Sequence, residues 1–174
     1  MSPPSSSSLP IAHAVLRVLV LLNWAVGGCI LALLIYTVIN EPWAMKGLGI
    51  SEYPNAPAVL AAMRVIAALG VGGVLINYYI LKRLLGMIDT VRAGDPFIRT
   101  NAHRLIEIAW ALLALQVLSL AIGGIAKAVS TAEHPFDLEA GFSVNGWLAV
   151  ILTFVLAHVF EKGSSMREDL EGTV

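Results

Sequence analysis

Four histidines are the first residues to test, because paired imidazoles on apolar helices can hold haem. They are His13, His103, His134 and His158. His103 and His134 fall in polar connecting segments, whereas His13 and His158 lie close to the ends of apolar runs. Ligands at a wet rim lack the dry, hydrogen-bonded surround that such a site needs. The bland reading, two interfacial histidines bonded to headgroups or water, is preferred, and no metal or other cofactor is expected. Carboxylates are the second test, since a proton-coupled four-helix exporter needs one in mid-membrane. Glu107 and Lys127 bracket one apolar run and Arg64 lies near the end of another, but no run has an acid at its middle. Asn23, Asn77, Gln116, Asn145 and Thr153 are among the remaining polar residues there. Such amides commonly bridge neighbouring helices, at ~0.6 kcal/mol each. No nucleophile–base pair, zinc-ligand spacing or glycine-rich phosphate loop is present, so the chain does not read as an enzyme.

The elements that must position these residues follow from composition. Of 174 residues 57% are hydrophobic and only 13% charged, and the mean hydropathy is +0.79. A soluble domain carries about 25% charged residues, so a soluble globular enzyme is excluded. A formal charge of −1 gives no signal for direct nucleic-acid binding. The lone cysteine, Cys29, excludes an internal disulfide. Four apolar stretches have membrane-spanning length, at about 14–39, 57–81, 106–127 and 141–160. They imply an all-α membrane protein, an antiparallel four-helix transmembrane bundle over 11–163. Together they leave too little chain for a large transporter. Residues 1–10, rich in Ser and Pro, are expected to be disordered. Val26-Gly27-Gly28-Cys29 resembles a lipoprotein cleavage box, but the apolar run continues to Ile39, so the first span is read as retained. Gly27-Gly28, Ala68 with Gly72, and Gly123-Gly124 supply small residues for close helix approach, within the chain or in a homo-oligomer.

Orientation follows from the basic residues. Lys82, Arg83, Arg92, Arg99 and Arg104 crowd the segment between spans two and three, with Arg17 before span one and Lys162 and Arg167 after span four. The other two loops carry Glu41, Glu52, Glu133, Asp137 and Glu139. The positive side is cytoplasmic, which places both termini and loop 82–104 in the cytoplasm. Trp43, Tyr53, Phe136 and Trp147 then fall near the outer interface. Arg64 is expected to snorkel to the outer headgroups.

The cytoplasmic face carries the most distinctive residues. Leu81, Leu84, Leu85, Ile88 and Val91 recur at helical spacing, so span two continues past the membrane as an amphipathic helix. Gly94 suits its C-terminal cap, Asp95-Pro96 forces a turn, and Thr100 or Asn101 is expected to cap the next helix. Phe97 and Ile98 are apolar in polar surroundings and are expected to tuck beneath the bundle. The tail 164–174 reads either as a solvated helix end or as a short linear motif for a partner. The loop itself reads either as a basic hairpin face on anionic lipid or as a recognition surface.

The run Gly94-Asp-Pro-Phe-Ile-Arg-Thr-Asn-Ala-His-Arg-Leu105, followed by Ile108-Ala-Trp110, resembles the signature of domain-of-unknown-function family 2975. The ending Met166-Arg-Glu-Asp-Leu-Glu-Gly-Thr-Val174 is similar to that family's C-terminal motif, and the resemblance covers about 11–174. It implies a small four-pass protein of the bacterial inner membrane with no agreed enzymatic activity. It also implies a genetic partner, a small helix-turn-helix regulator of Xre/Cro type that the membrane protein antagonises. On this reading Asp95, Phe97, Asn101 and Arg104 of the loop join Arg167, Glu168, Asp169 and Leu170 of the tail in one partner-binding surface. Acidic residues there, with Asp89 and Glu171, can compete with phosphate for a basic DNA-reading face. The alternative function is a small transporter or channel-like protein.

Topology is directly testable. Phosphatase and fluorescent reporters fused at Val174 and after Pro54 should show fluorescence only at Val174 and phosphatase activity only after Pro54. Active phosphatase at Val174 would refute the assignment.

Overall fold

The computed structural model describes residues 8–52, 55–130 and 140–171, with side chains for 9–51, 55–130 and 140–169. Five α-helices follow in order: α1 (Ser8–Ile39), α2 (Glu41–Gly47), α3 (Ala56–Arg92), α4 (Arg99–Val129) and α5 (Val144–Glu171), with a 3-10 turn at Ile50–Glu52. No strand occurs among the described residues. The all-α class is as expected, and α1, α3, α4 and α5 are each long and apolar enough to cross a membrane. This is a multi-pass membrane protein by helix length and composition. Its many exposed large apolar side chains, such as Leu21, Leu33, Leu75, Val117 and Ile151, are placed for lipid rather than for water.

The helices outrun the apolar stretches. The 37 residues of α3 extend about 55 Å, well beyond a ~30 Å hydrocarbon layer. Three boundaries differ from expectation. The first helix already begins at Ser8, with Pro10 in its first turn, where a missing N–H costs nothing. The fourth long helix does not yield to a separate tail at 164; it continues to Glu171. The connection between α1 and α3 holds the extra helix α2. Pro42 cannot donate to the carbonyl of Val38 and its ring would clash there, so α1 stops and a new helix starts with Pro42 in its first turn.

The chain forms two compact units. The first holds the described residues up to 23, with 77–113 and those from 144 on. The second holds 24–76 and the described part of 114–143. In the second unit α1 and α3 run antiparallel, since Val74 lies against Gly27, Gly70 against Ile30, and Arg64 against Thr37. A methyl on Gly27 would sit 2.7 Å from Val74 Cγ1, so glycine permits this approach. Arg64 has partners within the chain. Its guanidinium donates to the Thr37 carbonyl at the end of α1 and pairs with Glu41 at 3.3 Å. It thus satisfies a helix-end acceptor with a cation, as the macrodipole favours. Ala44, Ile50, Val59 and Leu60 form the buried apolar cluster of this unit. Tyr36 meets Trp43 edge-on at 4.7 Å, while Tyr53 and Phe136 lie outside the described residues.

In the first unit α3 and α4 are also antiparallel. Arg83 binds Glu107 at 2.9 Å, Arg104 binds the Gly86 carbonyl at 2.8 Å, and Asn101 binds Thr90 at 2.6 Å. Successive partners step down one helix and up the other. α5 returns along α4, with Phe154 edge-on to Trp110 at 5.5 Å and Glu168 opposite Arg99 at 3.5 Å.

Adjacent glycines of α4 give a paired test of close packing. A methyl at Gly123 would lie 2.6 Å from the Ala140 carbonyl oxygen and 2.9 Å from Gly141 Cα, both backbone atoms, whereas one at Gly124 meets nothing within 4 Å. Gly123→Ala should cost about 1–3 kcal/mol through overpacking. Gly124→Ala should be neutral or stabilise by up to ~1 kcal/mol through helix propensity. Thermal unfolding of the two variants in detergent reads the difference, and equal behaviour would contradict the close approach.

Candidate functional site

The candidate site is built on the reversal between α3 and α4. α3 ends in a Schellman cap: Gly94 N–H donates to the Val91 carbonyl at 3.1 Å and Asp95 N–H to the Thr90 carbonyl at 3.0 Å. Gly94 has φ +87°, a left-handed conformation that glycine adopts without penalty. Pro96 then turns the chain and α4 begins at Arg99. The N-terminal cap is neither Thr100 nor Asn101. The Ile98 carbonyl takes that place, accepting from the N–H groups of Asn101 at 2.9 Å and Ala102 at 3.4 Å.

Asn101 is withheld from capping because its side chain points inward. It is 0% exposed. Its amide donates to Thr90 Oγ1 at 2.6 Å and to the Pro96 carbonyl at 2.9 Å, and its oxygen accepts from Arg104 Nη1 at 2.9 Å. The same Arg104 nitrogen donates to the Gly86 carbonyl, and Thr90 Oγ1 donates to the Met87 carbonyl at 2.7 Å. Both amide hydrogens and the amide oxygen are therefore used, as burial requires.

The last turns of α5 close over this reversal. Phe97 packs against Phe160 with ring centroids 5.1 Å apart, and a methyl on Gly163 would come within 3.1 Å of Phe97 Cδ1. Ser164 is buried and donates to the Glu161 carbonyl at 2.9 Å. Arg167 pairs with Asp95, and Arg99 with Glu168. Between them lies a shallow recess of about 190 Å³ lined by Asp95, Phe97, Ile98, Ser164, Arg167 and Glu168, with Arg99 at its edge.

Of the residues read as one surface, Asp95, Phe97, Arg167 and Glu168 come together around this recess. Asn101 does not belong to a surface: fully buried, with its hydrogen bonds made, it has nothing to offer a partner. Arg104 is half-buried beside it and serves the same network. Asp169 is exposed on α5 outside the recess, and the Leu170 side chain lies outside the described residues. Sequence reasoning missed Phe160, Gly163, Ser164 and the cation Arg99. The readable signal was Gly163-Ser164-Ser165, small residues directly after an apolar run, which mark close approach rather than only a polar exit.

His134 lies outside the described residues, and the other three histidines are placed by the structure. His13 lies 3.7 Å from Asp89, and His158 lies 3.6 Å from Glu161 on its own helix. Among the described residues no cluster of three or more His, Cys, Asp or Glu side chains can hold a metal ion.

Removing the buried amide tests its role. Asn101→Ala should destabilise by roughly 2–4 kcal/mol, because the Pro96 carbonyl and Arg104 lose a partner while buried. Thr100→Ala, at the exposed neighbouring position, should stay within about 0.5 kcal/mol. Chemical denaturation in detergent distinguishes them, and a stable Asn101→Ala protein would leave the network without structural weight.

A family model described as "Protein of unknown function (DUF2975)" matches residues 43–174. No curated protein matches, and no solved structure matches. The motif resemblance spans about 11–174, whereas the match begins at 43, within α2, and leaves α1 outside it. The α3–α4 reversal and the end of α5 both fall inside the matched residues, and the chain belongs to the DUF2975 family.

Proposed function

We propose that the chain is a non-enzymatic regulator in a bacterial inner membrane. It captures a small helix-turn-helix regulator of Xre/Cro type at its cytoplasmic face and keeps that regulator from DNA. The observation that supports this reading is the convergence of the two motif segments. Asp95 and Phe97 from the α3–α4 reversal share one recess with Ser164, Arg167 and Glu168 of α5. Segments more than sixty positions apart in sequence thus offer a single composite surface. Phe97 remains 44% exposed despite its packing on Phe160, which leaves an aromatic face for a partner. The carboxylates of Asp95 and Glu168 are half-exposed, so a basic surface can approach them from outside.

The site's construction dictates the experiment. Deleting 164–174 would remove the buried Ser164 and the partner of Asp95, so loss of binding would not separate recognition from folding. Exchanging the charges, Asp95→Arg with Arg167→Asp, preserves the internal pair and inverts what the surface presents. The exchanged protein should remain folded in the membrane yet lose more than about tenfold in affinity for the neighbouring Xre/Cro-type regulator, a difference of ~1.4 kcal/mol. It should also fail to release DNA from that regulator in a mobility-shift assay. Capture at full affinity by the exchanged protein would remove this surface from recognition, and failure of the unaltered protein to capture the regulator would end the reading.

A further inference from the structure

A second concavity of the first unit lies between α4 and α5, with a volume of about 470 Å³. Arg99, Ala102, His103 and Ile106 line it from α4, and His158, Glu161, Lys162 and Ser165 from α5. Each set follows the spacing i, i+3, i+4, i+7, so each is one face of its helix. The two faces differ in character along their length. Arg99, His103, His158 and Lys162 bring four nitrogen-bearing side chains to one hollow, against one lining carboxylate, Glu161, which lies 3.6 Å from His158. Glu168 faces Arg99 at 3.5 Å, but the Arg99 side chain is 75% exposed and retains free donor directions. Ala102 and Ile106 form the apolar floor.

Beyond Ile106 the seam changes to hydrocarbon-compatible residues. One turn further along α4 stands Trp110, 60% exposed and edge-on to Phe154 of α5. Val155, one turn before His158, is also exposed. A basic hollow at the end of a membrane-length helix pair thus opens onto an exposed apolar lane on the same two helices.

We propose that this groove binds one anionic phospholipid. The phosphate engages Arg99, His103, His158 and Lys162, and an acyl chain lies along Ile106, Trp110 and Val155. The chemistry that selects the ligand is a phosphate oxyanion bonded to several N–H donors. The apolar lane selects a lipid rather than a free phosphate, since inorganic phosphate gains nothing from Trp110 or Val155. The site does not depend on the proposed regulator, and its lining shares only Arg99 with the recess described above.

Native mass spectrometry of the full chain, released from nanodiscs of equal phosphatidylglycerol and phosphatidylcholine, reads the preference directly. The unaltered protein should retain phosphatidylglycerol at one molecule per chain. The triple variant His103→Gln, His158→Gln, Lys162→Gln spares Arg99 and should lose that preference by about tenfold or more. Lys82→Gln, which also removes one lysine but lies outside the groove, should keep it. Circular dichroism and a monodisperse detergent profile establish that each variant is folded. Equal loss in Lys82→Gln would mean diffuse charge attraction and overturn the site. Thermal stabilisation by inorganic phosphate matching that by phosphatidylglycerol would overturn the lipid assignment. So would unchanged phosphatidylglycerol retention in the triple variant.

Discussion

The reversal between α3 and α4 depends on one buried amide. A helix that ends and a helix that begins within six residues leave carbonyls and N–H groups without intrahelical partners. Water can satisfy them only where it reaches, and Asn101 is fully buried. The chain solves this by placing a side chain with two donors and an acceptor among three fixed partners: Thr90 on α3, the Pro96 carbonyl in the turn and Arg104 on α4. Because Arg104 also binds the Gly86 carbonyl, the amide sets the register of α3 on α4 and not merely the turn. The position of Phe97, and hence the seat of α5 through Phe160 and Gly163, follows from that register.

Electrostatics obeys the same economy. Deep charge is avoided, and five of the eleven cations have partners within the chain. Arg64 closes the end of α1, Arg83 meets Glu107 while lying over the Tyr79 ring at 4.7 Å, and Arg167 meets Asp95. A basic count that reads as free positive surface is therefore partly an internal clamp. The hollow around His103 and Lys162 is distinctive because four nitrogen-bearing side chains meet there beside one lining carboxylate.

The long helices were legible because lipid demands uninterrupted apolar sequence, and that demand leaves few other readings for runs such as Val18–Ile39. Gly94 was legible for a related reason: a left-handed helix end admits glycine at least cost, and its φ of +87° agrees. The course of α5 past Gly163 was not legible. Polarity alone cannot distinguish a solvated helix from a tail, and its direction is decided by Phe97 seating against Gly163. The role of Asn101 was misread for a physical reason too. Near a helix start an amide commonly caps, and only the approach of Thr90 from α3 makes the inward rotamer better. Four of the eight residues read as one surface, Asp95, Phe97, Arg167 and Glu168, do line one recess, and each is an odd residue in its local context.

One objection to the proposed recognition is that Asp95 and Glu168 already have internal partners, Arg167 and Arg99. Magnitudes decide whether that matters. Half-exposed ion pairs of this kind are worth about 0–1 kcal/mol each, so opening both costs at most about 2 kcal/mol. A micromolar complex is worth ~8 kcal/mol, and its aromatic anchors rather than its rim charges carry most of that. The internal pairs therefore need not block a partner, and they have a use in its absence. They tie α5 to the α3–α4 reversal beside Phe97. A regulator that offers both a basic face and an apolar pocket for Phe97 can exchange the pairs; one that offers charge alone gains too little. On the proposed reading, selectivity at this surface would come from combining a weak internal clasp with an exposed aromatic ring.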